Sequence, residues 1–202
     1  MFSIDSLINS KNNTEEFAQS LNAQDIKQLV DILSEKDDNI RYAALLALKS
    51  RSEKTRDVYE YWDEFAKKLQ SDNSYQRSIG LMLLAENAKW DKADKFSTVA
   101  DIFLFYCDDE KFITARQCIQ SLKKIIPYKK QLSEKISENL MKIDIQKRKD
   151  TQRKLLLMDI LGVLCEIQKA NFSDKIQEYI NKALTGGTLD KKSIKDIEKL
   201  LK

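Results

Sequence analysis

Hydrophobic positions along the chain recur at the spacing of a helix and not with the alternation of a strand. Four amphipathic segments stand out, each with an apolar stripe beside charged residues. They are residues 25–35 (DIKQLVDILSE), 58–70 (VYEYWDEFAKKLQ), 96–107 (FSTVADIFLFYC) and 131–143 (QLSEKISENLMKI). A second apolar segment follows each of them after a short polar stretch. This order predicts a series of helix–turn–helix pairs.

An arginine opens the second segment of every predicted pair. These residues are Arg41, Arg77, Arg116 and Arg153, with spacings of 36, 39 and 37 residues. The positions two, three and six residues after each arginine are apolar or glycine in eleven of twelve cases. A buried helical face requires this pattern, and such regular spacing indicates a structural repeat.

An acidic residue precedes each of these arginines. The acids are Asp38, Asp72, Asp109 and Asp150. A carboxylate at this place can cap the N–H groups that begin a helix, and it can pair with the arginine of its own or a neighbouring repeat. We therefore expect these acids and arginines to form a structural ladder that ties one turn to the next.

The stretch Asp38-Asn39-Ile40-Arg41-Tyr42-Ala43-Ala44 resembles the loop and inner helix of HEAT repeats. The resemblance covers about residues 25–169 and is clearest in the first two copies. It implies an all-α fold, a right-handed α-solenoid of four to five helix pairs. It also implies a non-enzymatic scaffold that binds a macromolecule on the concave surface of the inner helices.

No long linker divides the chain, so we expect one domain over residues 1–202. Residues 25–169 hold the repeats in this prediction. Residues 1–24 form an N-terminal cap, and residues 170–202 form C-terminal capping helices that Gly186-Gly187 interrupt.

Composition supports a helix-rich, soluble protein. The chain has four glycines and one proline, and 33% of its residues are charged. No signal peptide or membrane-spanning segment is visible, so we expect a cytoplasmic protein that does not bind membranes. Cys107, Cys118 and Cys165 lack CxxC spacing, which indicates reduced thiols in the core and no metal site.

The sequence contains no histidine. This removes the commonest general base and the commonest metal ligand, although carboxylates and lysines can also perform acid–base catalysis. We expect a chain that is not an enzyme. We predict no catalytic residue, no cofactor, no metal and no small-molecule substrate.

The register of the repeats predicts a surface for a partner. Positions one, five and eight after each arginine lie opposite the buried face and mix apolar, amide and basic side chains, which is typical of a groove that binds a peptide or protein. We therefore expect a protein partner to contact Tyr42, Leu46, Lys49, Met82, Gln117, Ser121, Lys124 and Lys154. The alternative is that several residues of this register belong to a further core layer.

Positive charge is concentrated in residues 123–154, which hold eleven Lys or Arg and four acids. One interpretation is a nucleic-acid-binding surface that contacts phosphates. Its phosphate ligands would be Lys123, Lys124, Lys147, Arg148 and Lys149. The other interpretation is an ordinary solvated surface.

The stretch AKWDKADKF at residues 88–96 is similar to a Trp/Asp pair of the HEAT-like alkylpurine DNA glycosylases. The pair here is Trp90 and Asp94, and the resemblance implies a phosphate contact for Arg116. The chain between Asp94 and Arg116 is too short for the extra helix of that family. The alternative is that Trp90 packs in a turn while Asp91 or Asp94 caps the next helix.

Overall fold

A computed structural model describes residues 2–201, so residues 1 and 202, the outermost residues of the two predicted caps, lie outside it. Within the described range the chain forms twelve α-helices and several short 3₁₀ turns, and no strand. The all-α prediction is confirmed. No helix of this range is both long enough and apolar enough to cross a bilayer.

The chain divides into two compact units, Met1–Ile102 and Phe103–Lys202. The boundary falls inside one continuous helix, Lys95–Phe105. That residues 1–202 form a single domain is still only a prediction.

The first unit is built around one long helix. Its helices are α1 (Ile4–Asn9), α2 (Thr14–Ser20), α3 (Ala23–Ile32), α4 (Asp38–Lys54), α5 (Trp62–Lys68), α6 (Ser74–Asn87) and the beginning of α7 (Lys95–Phe105). Helix α4 contacts α1, α2, α3 and α6, and α5 packs against α6.

Small side chains let the helices of the first unit approach closely. Ala43, Ala44 and Ala47 give α4 a narrow buried face. On α6, a Cβ built on Gly80 would lie 2.7 Å from the carbonyl oxygen of Phe65, so the backbones of α5 and α6 are almost in contact. These positions belong to the repeat register, and the prediction that they are buried is confirmed.

Arg51 attaches the N-terminal helices to this unit. Its guanidinium donates to the carbonyl oxygens of Ala18 and Gln19, both at 3.1 Å, at the end of α2. It also pairs with the Asp57 carboxylate at 2.7 Å. One arginine therefore satisfies carbonyl groups that a helix end leaves without partners.

The second unit is also built around one long helix. Its helices are the end of α7, α8 (Phe112–Ile125), α9 (Ser133–Met141), α10 (Asp150–Ala170), α11 (Asp174–Thr185) and α12 (Lys191–Leu201). Helix α10 has 21 residues and contacts α8, α9, α11 and α12. The three cysteines are free thiols buried in the core, and the sulfur atoms of Cys107 and Cys118 lie 3.5 Å apart.

The fourth repeat departs from the predicted register. Leu155, expected on the buried face, is 39% exposed, and the buried face of α10 begins at Leu156 and Leu157. Asp159 occupies the one position of the predicted buried face that is not apolar. It binds Arg116 of α8, and its side chain is mostly buried.

Candidate functional site

Three of the four marker arginines have the same role. Each guanidinium donates to backbone carbonyls of the turn that precedes its own helix. The bonds run from Arg41 to the oxygen of Glu35 at 2.8 Å, from Arg77 to that of Ser71 at 3.0 Å and from Arg153 to that of Gln146 at 3.0 Å. The arginine thus closes the turn within its own pair.

The acids of the predicted ladder act inside the same turns. Asp38 pairs with Arg41, and Asp150 pairs with Arg153 at 2.7 Å. Asp72 takes part through its backbone carbonyl, which accepts from Arg77 at 3.0 Å.

The side chains that cap α4 and α6 each lie one residue away from the predicted acid, before Asp38 in α4 and after Asp72 in α6. The carboxylate of Asp37 accepts from the amide of Asn39 at 2.8 Å and caps α4. The side chain of Asn73 accepts from the amide of Tyr75 at 2.9 Å and caps α6. The prediction that Asp38 and Asp72 cap these helices is wrong, because each already lies beside a better placed Asp or Asn.

Arg116 is the exception to the ladder. It binds the carboxylate of Asp159 on α10, with Nη2 at 3.2 Å, and Gln120 donates to the same carboxylate at 2.9 Å. Of the two pairings that the sequence left open for Asp109, the structure does not form the one with the arginine of its own repeat.

Arg148 holds the turn that contains Asp109. It donates to the carbonyl oxygen of Asp109 at 2.9 Å and pairs with the Asp108 carboxylate. The Asp109 side chain accepts from the amide of Lys111 at 2.7 Å, next to the start of α8. This turn is held by an arginine from the following pair, which leaves Arg116 able to join α8 to α10.

Four predicted contact residues form what we call the α4–α6 face, namely Tyr42, Leu46, Lys49 and Met82. Tyr42 is 55% exposed and the other three are half-buried. Asn87 of α6 donates to Ser52 of α4 at 3.1 Å, which fixes an offset of 35 residues between the two helices. By this offset Met82 lies within one residue of the level of Leu46.

Charge on the α4–α6 face is internally balanced. The Lys49 ammonium lies 3.8 Å from the carboxylate of Glu86, a buried acid of α6. The lysine stem can cover apolar surface while its head stays near water. The face therefore offers apolar side chains without an isolated charge between them.

The other predicted contact residues lie in the second unit. Gln117 is half-buried, Lys124 is exposed, and Lys154 pairs with Asp190 at 2.9 Å. Ser121 is only 8% exposed, which corrects its prediction as a contact residue. Its position shares the buried stripe of α8 with Cys118, Leu122 and Ile125 at helical spacing.

The structure does not bring the five predicted phosphate ligands together. Lys123 and Lys124 lie in the last turn of α8, whereas Arg148 binds Asp109, just before its first turn. At 1.5 Å per residue the two groups are separated by about 18 Å along the helix. Lys123 also lies 4.0 Å from Glu166.

An ion pair connects α10 to the start of α12, because Lys154 of α10 binds Asp190, which directly precedes α12. We call the exposed lysines beside this ion pair the α10–α12 lysine edge: Lys147, Lys149, Lys191 and Lys192. Sequence reasoning missed Lys191 and Lys192, since only the ion pair across 36 residues shows their place.

Trp90 and Asp94 each have a structural partner. The indole N–H of Trp90 donates to the carbonyl oxygen of Ser52 at 2.8 Å. Asp94 is exposed, has a φ of 55°, and accepts from the hydroxyl of Ser97 at 2.6 Å. Trp90 thus fastens its turn to the end of α4.

Asp91 is the residue that caps α7. Its carboxylate accepts from the amides of Lys95 and Phe96 at 2.9 and 2.8 Å. The hydroxyl of Tyr59 donates to the same carboxylate at 2.8 Å. Burial and this bond raise the pKa of Tyr59 to about 12.

An open cleft of about 460 Å³ lies in the first unit, beside the start of α4 and α6. We call it the Arg41–Tyr75 cleft. Its lining includes Ser34 and Lys36 from the turn before α4, and Gln76 from α6. The guanidinium of Arg41 lies 5.5 Å from the ring centre of Tyr75, a residue that is 63% exposed.

Lys68 of α5 binds two residues of the cleft lining. Its ammonium donates to the side-chain oxygen of Gln76 at 2.5 Å and to the hydroxyl of Ser34 at 3.3 Å. Burial and the positive charge of Arg41 lower the pKa of Lys68, while Glu64 opposes the shift. Sequence reasoning missed Lys68 because the pattern places it on an outer helix.

Comparison of the chain with protein families, with curated proteins and with solved structures finds no match. Among residues 2–201, no group of three or more His, Cys, Asp or Glu side chains is arranged to hold a metal ion. The geometry defines an all-helical protein with two candidate surfaces in its first unit, the α4–α6 face and the Arg41–Tyr75 cleft.

Proposed function

We propose that the chain is a HEAT-like, right-handed α-solenoid that acts as a non-enzymatic scaffold and binds a protein partner on its inner helices. The observation that carries this proposal is the α4–α6 face. Two adjacent helices there present Tyr42 and Leu46 on α4, one turn apart, and Met82 on α6 within one residue of the level of Leu46. Aromatic and methionine side chains of this kind are common anchors of protein interfaces.

Repetition of local contacts supports the helical-repeat part of the proposal. Arg41, Arg77 and Arg153 each close the turn before an inner helix in the same way. In the second unit, ion pairs join α8 to α10 and α10 to the start of α12. In this proposal α11 and α12, which the sequence predicted as capping helices, form a fifth repeat.

The test measures whether variants with an added negative charge on the α4–α6 face still capture a partner. Purified chain carrying Tyr42→Glu and Met82→Glu is compared with wild type in capture from a lysate of the source organism. Lys27→Glu, at an exposed position of α3, is the matched control. We expect a band that wild type and control retain and the double variant loses by about tenfold or more. Equal retention by all three folded proteins would contradict the proposal.

The second candidate function is nucleic-acid binding, which the α10–α12 lysine edge favours. Four exposed lysines beside the Lys154–Asp190 pair present positive charge at one edge of the second unit. Phosphate contacts of lysines release counterions, so binding would weaken steeply with salt.

A gel shift with duplex DNA across a salt series tests this candidate. We expect that Lys147→Glu with Lys191→Glu abolishes a salt-sensitive shift, whereas Lys123→Glu with Lys124→Glu changes it little. The absence of any salt-sensitive shift for the wild-type chain would remove this function.

A further inference from the structure

The ammonium of Lys68 has no acidic partner in the part of the chain that the structure describes. Its two hydrogen bonds go to neutral oxygens, those of Gln76 and Ser34. A lysine ammonium has three N–H donors, so one of them is left for another acceptor. Both of its neutral partners line the Arg41–Tyr75 cleft.

Contacts with α6 and with the residues that follow α3 hold the Lys68 ammonium in position. The close approach of α5 and α6 at Gly80 puts the Cβ of Lys68 only 3.1 Å from a Cβ built on that glycine. The amide of Gln76 is itself held by the carbonyl oxygen of Leu33 at 2.8 Å. The cationic group is therefore held between two helix pairs before any ligand arrives, which reduces the entropic cost of binding.

A second positive charge lies close to Lys68. The Arg41 guanidinium is near enough to lower the pKa of Lys68 together with burial. Arg41 is already paired with Asp38, and Lys36 adds a further positive charge to the lining. A partly buried ammonium beside a like charge gains from an added anion more than an exposed lysine does.

We propose that the Arg41–Tyr75 cleft binds a single carboxylate of an acidic peptide segment, with Lys68 as its ion-pair partner. This inference rests on the proposed function, because the segment belongs to the protein partner. The exposed ring of Tyr75 supplies a contact for the peptide beside the carboxylate. Tyr42, also exposed, lies on the same helix one residue after Arg41 and starts the α4–α6 face.

The charges of the cleft favour a carboxylate over a phosphate group. Glu35 and Asp38 also line it, so the positive charge that remains is small. A dianionic phosphate would be repelled by these two acids, whereas one carboxylate is matched by one ammonium. A basic peptide would meet Lys36, Arg41 and Lys68 and is disfavoured.

Backbone-amide NMR of the full chain tests the proposal with acetyl-Gly-Gly-Glu-Gly-Gly amide, a peptide that carries one carboxylate, as the probe. We expect the amide signals of Asn73, Tyr75 and Gln76 to shift on titration. Lys68→Met should weaken the apparent affinity about tenfold, while Lys67→Met, the adjacent exposed lysine, should leave it within about twofold. Lys68→Gln, which keeps two N–H donors without the charge, provides a second variant and should weaken binding similarly.

Three outcomes would overturn the inference. These are no shift at the cleft, equal weakening by the Lys67 and Lys68 variants, and tighter binding of inorganic phosphate than of the peptide at the same amides. The proposed function is tested separately by Tyr42→Glu with Met82→Glu. If the peptide does not bind at the cleft but partner capture is normal, only the proposed carboxylate site is contradicted.

Discussion

The guanidinium of Arg116 on α8 binds the carboxylate of Asp159 on α10, 43 residues further along the chain. Three arginines of the same register instead close the turn before their own helix. Arg116 therefore joins two inner helices of the second unit, and its partner is only 11% exposed. A pair with so little solvent contact is screened less than a surface pair.

A double-mutant cycle on Arg116→Met and Asp159→Asn measures this contact. We expect a coupling free energy of about 1–2 kcal/mol in denaturant unfolding followed by circular dichroism. The control cycle is the exposed pair of Glu178 and Lys182 on α11, where the coupling should stay below about 0.5 kcal/mol. Equal coupling free energies in the two cycles would show that the α8–α10 ion pair stabilises the fold no more than an exposed pair does.

Two helical glycines should respond in opposite ways to alanine. Gly80→Ala would place a methyl group 2.7 Å from the backbone oxygen of Phe65, so α5 has to move. We expect the free energy of unfolding to fall by about 1–3 kcal/mol. The same methyl group at Gly162 would meet only the end of the Lys123 side chain, which can rotate away.

Gly162→Ala is therefore the matched control. The higher helix propensity of alanine should leave the free energy of unfolding unchanged or raise it by up to about 1 kcal/mol. Thermal and denaturant unfolding of both variants measure the difference. A stabilising effect of Gly80→Ala would show that α5 and α6 are not in close contact.

The bond from Tyr59 to Asp91 predicts a loss of stability at high pH. Burial and this bond raise the pKa of Tyr59 from 10.0 to about 12. Between these values the unfolded chain releases a proton that the folded chain keeps, so the free energy of unfolding falls as pH rises from about 10 to about 12.

Absorbance at 295 nm during an alkaline titration follows tyrosine ionisation directly. We expect Tyr59→Phe to remove one tyrosine from the step near pH 12 and to weaken the pH dependence of unfolding. Tyr75→Phe, a change at an exposed position, should leave that step in place. If Tyr59→Phe removes absorbance near pH 10 instead, the hydroxyl of Tyr59 is not held by Asp91.

Much of the fold could be predicted from the sequence because amphipathic spacing and the arginine register are local signals. The segment 131–143 became α9 over Ser133–Met141, and the small residues after Arg41 are buried as expected. The register failed at Leu155, since α10 turns a different side towards its neighbours once Asp159 binds Arg116.

The candidate surfaces were less accessible to sequence reasoning. Tyr42 and Met82 followed from periodicity, but the cleft depends on how closely two helices approach. Lys68 reaches Gln76 and Ser34 only because Gly80 lets α5 lie against α6. The spacing of apolar residues shows on which face of a helix a residue lies, but not how far that helix is from its neighbours. Contacts between helices, such as those of Lys68, are therefore visible only in the tertiary structure.

Site-specific photo-crosslinking tests the proposed scaffold function most directly. A benzophenone amino acid is placed at Leu46 or Met82 on the α4–α6 face, or at exposed Lys67 on α5, and the chain is irradiated in a lysate of the source organism. We predict that both positions of the face capture the same protein and that Lys67 captures none of it. Capture of that protein from all three positions, or of no protein from Leu46 and Met82, would contradict binding on the inner helices.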